Sequence, residues 1–143
     1  MRFLIDANIV LDVLMNRQPY VTDSANILKL CETEQAEGYI SSLTFANLVY
    51  IMRKELKPEG IELVLEKLSI IFRFTDLTSS DLLNAAKLKW KDFEDAVQCV
   101  TAERIHADHI ITRNIKDFKD SSITAITPTE LLNAINDFSD TAN

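Results

Sequence analysis

Short apolar runs alternate with segments of helical periodicity along the chain, and this alternation limits the fold more than any other feature. Residues 2–5 read as a buried strand ending at Asp6. A helix over about 8–15 follows, with Ile9, Leu11, Val13 and Leu14 giving it a broad apolar side. Pro19 suits the first turn of a second helix, whose core face is Ile27, Leu28, Leu30 and Cys31. Gly38 is expected to end that helix, and 39–41 reads as a second strand. Ser42 or Thr44 caps a third helix running to about Leu56, apolar on most sides and so expected to be largely buried. Pro58 opens a fourth helix with Ile61, Val64, Leu65 and Leu68 at helical spacing, and 70–74 reads as a third strand. Thr78 and Asp81 have capping-box spacing and start a fifth helix ending near Trp90. A sixth helix spans about 93–106, and 109–112 and 124–126 read as strands. Thr127-Pro128-Thr129-Glu130 then combines a cap, a first-turn proline and a capping-box acid, opening a helix through Ile135. Residues 137–143 are polar and expected to fray.

Strands separated by helices imply a parallel sheet covered on both faces. The expected architecture is therefore α/β, a three-layer α/β/α sandwich with a mostly parallel central sheet, in a single domain over 1–143. With 2 glycines and 3 prolines, long irregular loops have little material to form from. No apolar run is long enough to span a bilayer, and the N-terminal one is too short for a signal peptide. Cys31 and Cys99 have neither zinc nor redox spacing, which suits reduced thiols in a cytoplasmic protein. The net charge of −7 argues against a broad electrostatic nucleic-acid binder. It leaves room for a nuclease, because a bound divalent cation reverses the local field.

Three polar groups fall at strand ends or helix starts, where sites gather in parallel sheets. Asp6 follows the first strand and, taken alone, reads equally well as a helix cap. Asp92-Phe93-Glu94-Asp95 reads alone as a helix start, with acids favoured in the first turn by the helix dipole. Residues 112–118, Thr112-Arg113-Asn114-Ile115-Lys116-Asp117-Phe118, read alone as a polar turn. Together they offer oxygen ligands from separate elements, which hard cations such as Mg²⁺ require. Such ions activate water and stabilise a transferring phosphoryl group. His106 and His109 straddle a predicted helix end and read as surface or loop residues, so zinc is poorly supported.

In this order the segments resemble the PIN-domain family, which includes VapC-like toxin ribonucleases. The matching residues are 4–12 (LIDANIVLD), 40–47 (ISSLTFAN), Asp95-Ala96, 110–114 (IITRN) and Asp117-Phe118. The resemblance covers nearly the whole chain. It implies a Mg²⁺- or Mn²⁺-dependent ribonuclease, often the toxin of a type II toxin–antitoxin pair, acting as a homodimer with an antitoxin protein and an RNA substrate. Carried over by position, Asp6 and Asp95 would be catalytic metal ligands, and Asp117 would compensate as the last acid of the set. Thr112 would support them through its hydroxyl, with Asn47, Asn114 and Asp92 alongside. Under this catalytic reading Arg113, Lys116 and Lys119, which follow the last motif, would receive RNA phosphates; alone they read equally well as a solvated charged face. Asn47 stands where the family usually has glutamate and Asn114 where it often has aspartate, so the acidic set is modified. That departure motivates the alternative of a catalytically weak or inactive PIN-like binding module. A phosphorylated receiver domain fits poorly, because the first strand ends in one acid and Thr112-Arg113-Asn114 offers no lysine at the end of the later strand.

Overall fold

The computed structural model describes residues 1–142, with side chains through residue 137. Its elements run β1 (Arg2–Ile5), α1 (Ala7–Leu14), α2 (Val21–Glu32), β2 (Glu37–Ser41), α3 (Ser42–Ile51), α4 (Pro58–Ile71), β3 (Arg73–Thr75), α5 (Ser79–Leu88), α6 (Phe93–Arg104), β4 (His109–Ile111), the 3₁₀ turn Ile115–Phe118, β5 (Ala125–Ile126) and α7 (Pro128–Ala142). The five strands form one sheet in the order β3-β2-β1-β4-β5, and every neighbouring pair is parallel. This is the α/β sandwich expected from the alternation of strands and helices.

β1 is the centre of the sheet and is covered on both faces, so three consecutive residues, Phe3, Leu4 and Ile5, are buried. Strand alternation separates them. Phe3 and Ile5 face a core built with Ile9, Val10, Ile27, Leu28, Leu48 and Leu131, from α1, α2, α3 and α7. Leu4 faces the other side, with Ala102, Ile110 and Phe118. The chain winds from β1 outward to β3 and then returns to β4 on the opposite side of β1. The switch point of the sheet therefore lies between β1 and β4, and their carboxyl ends open a crevice there.

Several boundaries differ from the sequence expectation, each for a local reason. Gly38 does not stop α2; it lies inside β2, where a Cβ would meet Cys31 Sγ at 2.5 Å and Phe72 Cδ1 at 2.8 Å. α2 begins at Val21, so Pro19 precedes the helix instead of opening it. Neither Ser42 nor Thr44 caps α3: Ser41 does, accepting from the Leu43 amide at 3.2 Å. α3 ends at Ile51, short of Leu56, because 52–56 closes into turns and Lys57 before Pro58 is extended. It is also less buried than expected, with Tyr50 at 65% and Ile51 at 47% exposed. Ile70 and Ile71 belong to α4, and the third strand is Arg73–Thr75.

α5 stops at Leu88, with Lys89 in the left-handed region, and α6 stops at Arg104, with His106 at φ 56. His109 lies in β4. α7 continues to Ala142, beyond Ile135. The fraying expected for 137–143 includes Asn143, which lies outside the described residues.

Candidate functional site

Asp6 occupies the switch point because β1 ends at Ile5 and α1 begins at Ala7. It is the N-cap of α1, its Oδ1 accepting from the Ala7 amide at 2.8 Å. Its own amide donates to Ile111 O at 3.0 Å, which ties it to β4. The next residue of that strand end, Thr112, is fully buried and donates its hydroxyl to Asp6 Oδ2 at 2.8 Å. Thr112 Oγ1 in turn accepts from the Asn114 amide at 3.1 Å and from Asn8 Nδ2 at 3.3 Å. Asn114 thus enters the arrangement through its backbone.

Asp95 comes from the other side of the crevice, in the first turn of α6. Asp92 caps that helix by accepting from the Asp95 amide at 3.1 Å. Asp92, Asp95 and Asp117 line one cleft of about 880 Å³, with Asp117 carried there by the 3₁₀ turn after Thr112. Burial pushes the Asp6 carboxyl above its usual range, against the hydrogen bonds that hold it down, and the charge of Asp117 adds to the rise. Burial first, then the charges of Asp92, Asp6, Asp117 and Glu94, push Asp95 up to about 7. The three aspartates named by the sequence motifs therefore feel one another across the crevice.

Among the described residues, Asp6, Asp95 and Asp117 make no ion pair with a basic side chain. No group of three or more Asp, Glu, His or Cys among these residues is spaced to hold a metal ion in the present side-chain positions. The donor chemistry still fits a hard divalent cation: clustered carboxylates that make no ion pair and a buried amide oxygen, Gln98 Oε1, with no hydrogen bond, both among the described residues.

Two residues sit differently from the expectation. Arg113 does not extend toward the cleft. Its Nε and Nη2 grip Asp12 at 2.8 and 3.0 Å, and its guanidinium lies 3.9 Å over the Tyr20 ring. Asn47 donates its amide to Glu94 Oε1 on α6. Lys116 does line the cleft, joined by Lys89, Lys91 and Lys119 around Trp90. Lys89 and Lys91 belong to no motif of the sequence analysis. Gln98 and Thr44, bonded at 3.0 Å beneath the carboxylates, gave no signal because a buried polar pair between two helices has no local pattern.

A parallel α/β sandwich with acids gathered at the carboxyl ends of its central strands defines a class of fold and site. The model of the PIN domain matches residues 2–116, and the chain belongs to the PIN-domain family. No curated protein matches by sequence. Among solved structures, the chain is similar to VapBC-1 from nontypeable Haemophilus influenzae (18% identity, TM-score 0.68, covering 90% of this chain and 99% of the other). It is similar to a toxin–antitoxin complex from Klebsiella pneumoniae (22%, 0.67, 87% and 96%). It is also similar to VapC20 of Mycobacterium tuberculosis, a sarcin–ricin-loop-cleaving toxin (10%, 0.60, 76% and 86%).

Proposed function

We propose that this chain is a divalent-metal-dependent endoribonuclease and the toxin of a type II toxin–antitoxin pair. The observation that carries the reading is the gathering of acids at the carboxyl ends of the central strands, where Asp92, Asp95 and Asp117 share one cleft and burial first, then Asp92, Asp6 and Asp117, push Asp95 up to about 7. Asp6, Asp95 and Asp117 would hold Mg²⁺ or Mn²⁺. When bound, such an ion supplies an activated water and stabilises charge on the phosphate.

The remaining work falls to the chain. Thr112 and the Ala7 amide fix the direction of Asp6. Asp92 fixes the start of α6 and with it Asp95. Lys89, Lys91, Lys116 and Lys119 ring the cleft and meet the RNA backbone, despite a chain that is acidic overall. Trp90, between two of these lysines, offers a face for base stacking.

The neighbours' toxin–antitoxin complexes support an antitoxin protein as partner. Exposed Tyr50, Ile51, Leu83 and Phe93 supply apolar surface for that partner or for a homodimer. Among the described residues no helix is long and apolar enough to cross a membrane. Cys31 and Cys99 are both free and buried, which suits a cytoplasmic setting.

One observation favours the second reading, a PIN-like binding module without turnover: among the described residues no three acids stand close enough together to hold a cation. Induced expression separates the two. The toxin reading expects growth arrest that Asp6→Asn abolishes at equal protein level. Arrest of equal depth in both strains would reject it.

A further inference from the structure

Gln98 is the polar group that the acidic cluster leaves unexplained. It stands on α6 one turn beyond Asp95, and only 6% of it is exposed. Positions three apart on a helix share a face, so Gln98 lies on the same face of α6 as Asp95. Its Nε2 donates to Thr44 Oγ1 on α3 at 3.0 Å. Its Oε1 has no hydrogen-bond partner among the described residues.

A buried carbonyl without a donor is unfavourable. A helix that needed only packing at this position would be better served by an apolar side chain, as at its buried neighbours Val97 and Val100. The amide also favours the charged form of Asp6, as an N–H turned to the carboxylate does, so the nitrogen end faces the acid as it stands and rotation brings the carbonyl there. A hydroxyl donates as well as accepts. Thr44 can therefore bond either end of the Gln98 amide, and rotation of that amide exchanges its N–H and C=O without losing the tie to α3. The other α3 side chain at the crevice, Asn47, is spent on Glu94. Amide carbonyls are hard, uncharged oxygen ligands for divalent cations.

We propose that Gln98 belongs to the cation site of this chain: its side-chain carbonyl, held within reach by Thr44, supplies a neutral oxygen to the cluster of Asp6, Asp95 and Asp117. The proposal rests on the reading of that cluster as a divalent-cation site.

Calorimetric titration with Mn²⁺ of the wild type and Gln98→Met, with melting curves of both in EDTA, tests it. The expected result is Mn²⁺ affinity at least fivefold weaker in Gln98→Met, with a melting temperature in EDTA equal to the wild type's or higher. An affinity change under fivefold overturns the assignment and leaves Gln98 as a packing residue. If the methionine variant does not fold, Gln98→Glu decides. A larger Mn²⁺-induced rise in melting temperature than the wild type's supports the assignment, and an equal or smaller rise overturns it. A wild type that binds no Mn²⁺ removes the metal reading itself. Equal binding by wild type and variant removes only the role of Gln98.

Discussion

Asp12 and Arg113 join α1 to the segment after β4 through two hydrogen bonds, of 2.8 and 3.0 Å, around a carboxylate with no solvent exposure. Ser24 on α2 donates to the same carboxylate at 3.1 Å. Breaking a buried pair from one side leaves an uncompensated charge and costs about 3–5 kcal/mol. Arg113→Ala is expected to lose that much in urea unfolding, and Asp12→Ala a comparable amount. If Arg113→Ala instead weakened RNA binding while unfolding like the wild type, the arginine would return to the substrate-binding role its motif suggested.

Asp95 gives a prediction of opposite sign. Its carboxyl titrates at about 7, above the ordinary value of 3.8. The folded state therefore holds its proton more tightly than the unfolded chain. Stability from this group is full below about 4 and declines as pH rises toward about 7. At pH 8 without metal, the charged Asp95 destabilises the fold, and Asp95→Asn should raise the melting temperature. The group is partly open to solvent, so the gain is discounted to on the order of 1 kcal/mol. For a domain of this size that is roughly 3–5 °C. A lower melting temperature at pH 8 in EDTA would show that the acids do not strain one another.

Asp81 runs the other way. Burial alone would raise its pKa, but Arg104 and the Thr78 cap outweigh that and hold it below 3.8. The carboxylate accepts from Arg104 at 2.9 and 3.0 Å and from the Thr78 amide at 3.0 Å. A depressed folded pKa contributes stability that is fully present above 3.8 and is lost as pH falls through the folded value. The stability difference between wild type and Asp81→Asn should be constant from pH 7 to about 5 and shrink below about 4. A difference that stays constant down to pH 2.5 would contradict this.

Gly38 predicts both a cost and a protected thiol. Gly38→Ala drives a methyl into Cys31 Sγ and Phe72, and overpacking of this kind costs about 1–3 kcal/mol. Burial pushes the Cys31 thiol up to about 12, so it should resist a thiol reagent in the native protein and react on unfolding. Rapid labelling of Cys31 in the native wild type would refute the tight β2–α2 contact.

What the sequence made legible was local. Asp6, Asp92, Thr78 with Asp81, and Thr127 all cap helices, because a cap is a hydrogen bond across two or three positions. The strand–helix alternation likewise carried the sheet. Ile70-Ile71 was misread because a short apolar run fits a helix end and a strand equally well. Gly38 was misread because its reason is a contact with Cys31 that exists only once β2 packs on α2. Asp12 and Arg113 are 101 positions apart, so nothing in either neighbourhood announced their pairing. Gln98 is the same case: its partner Thr44 is 54 positions away on another helix.

RNA cleavage by the purified chain tests the central claim most directly. Wild type, Asp6→Asn and Asp95→Asn are incubated with structured RNA in Mn²⁺ and in EDTA, with folding of each variant verified by its melting curve. The account predicts cleavage by the wild type in Mn²⁺, none in EDTA, and a fall of at least a hundredfold in both variants. Cleavage that persists in EDTA, or survives in both folded variants, would contradict it.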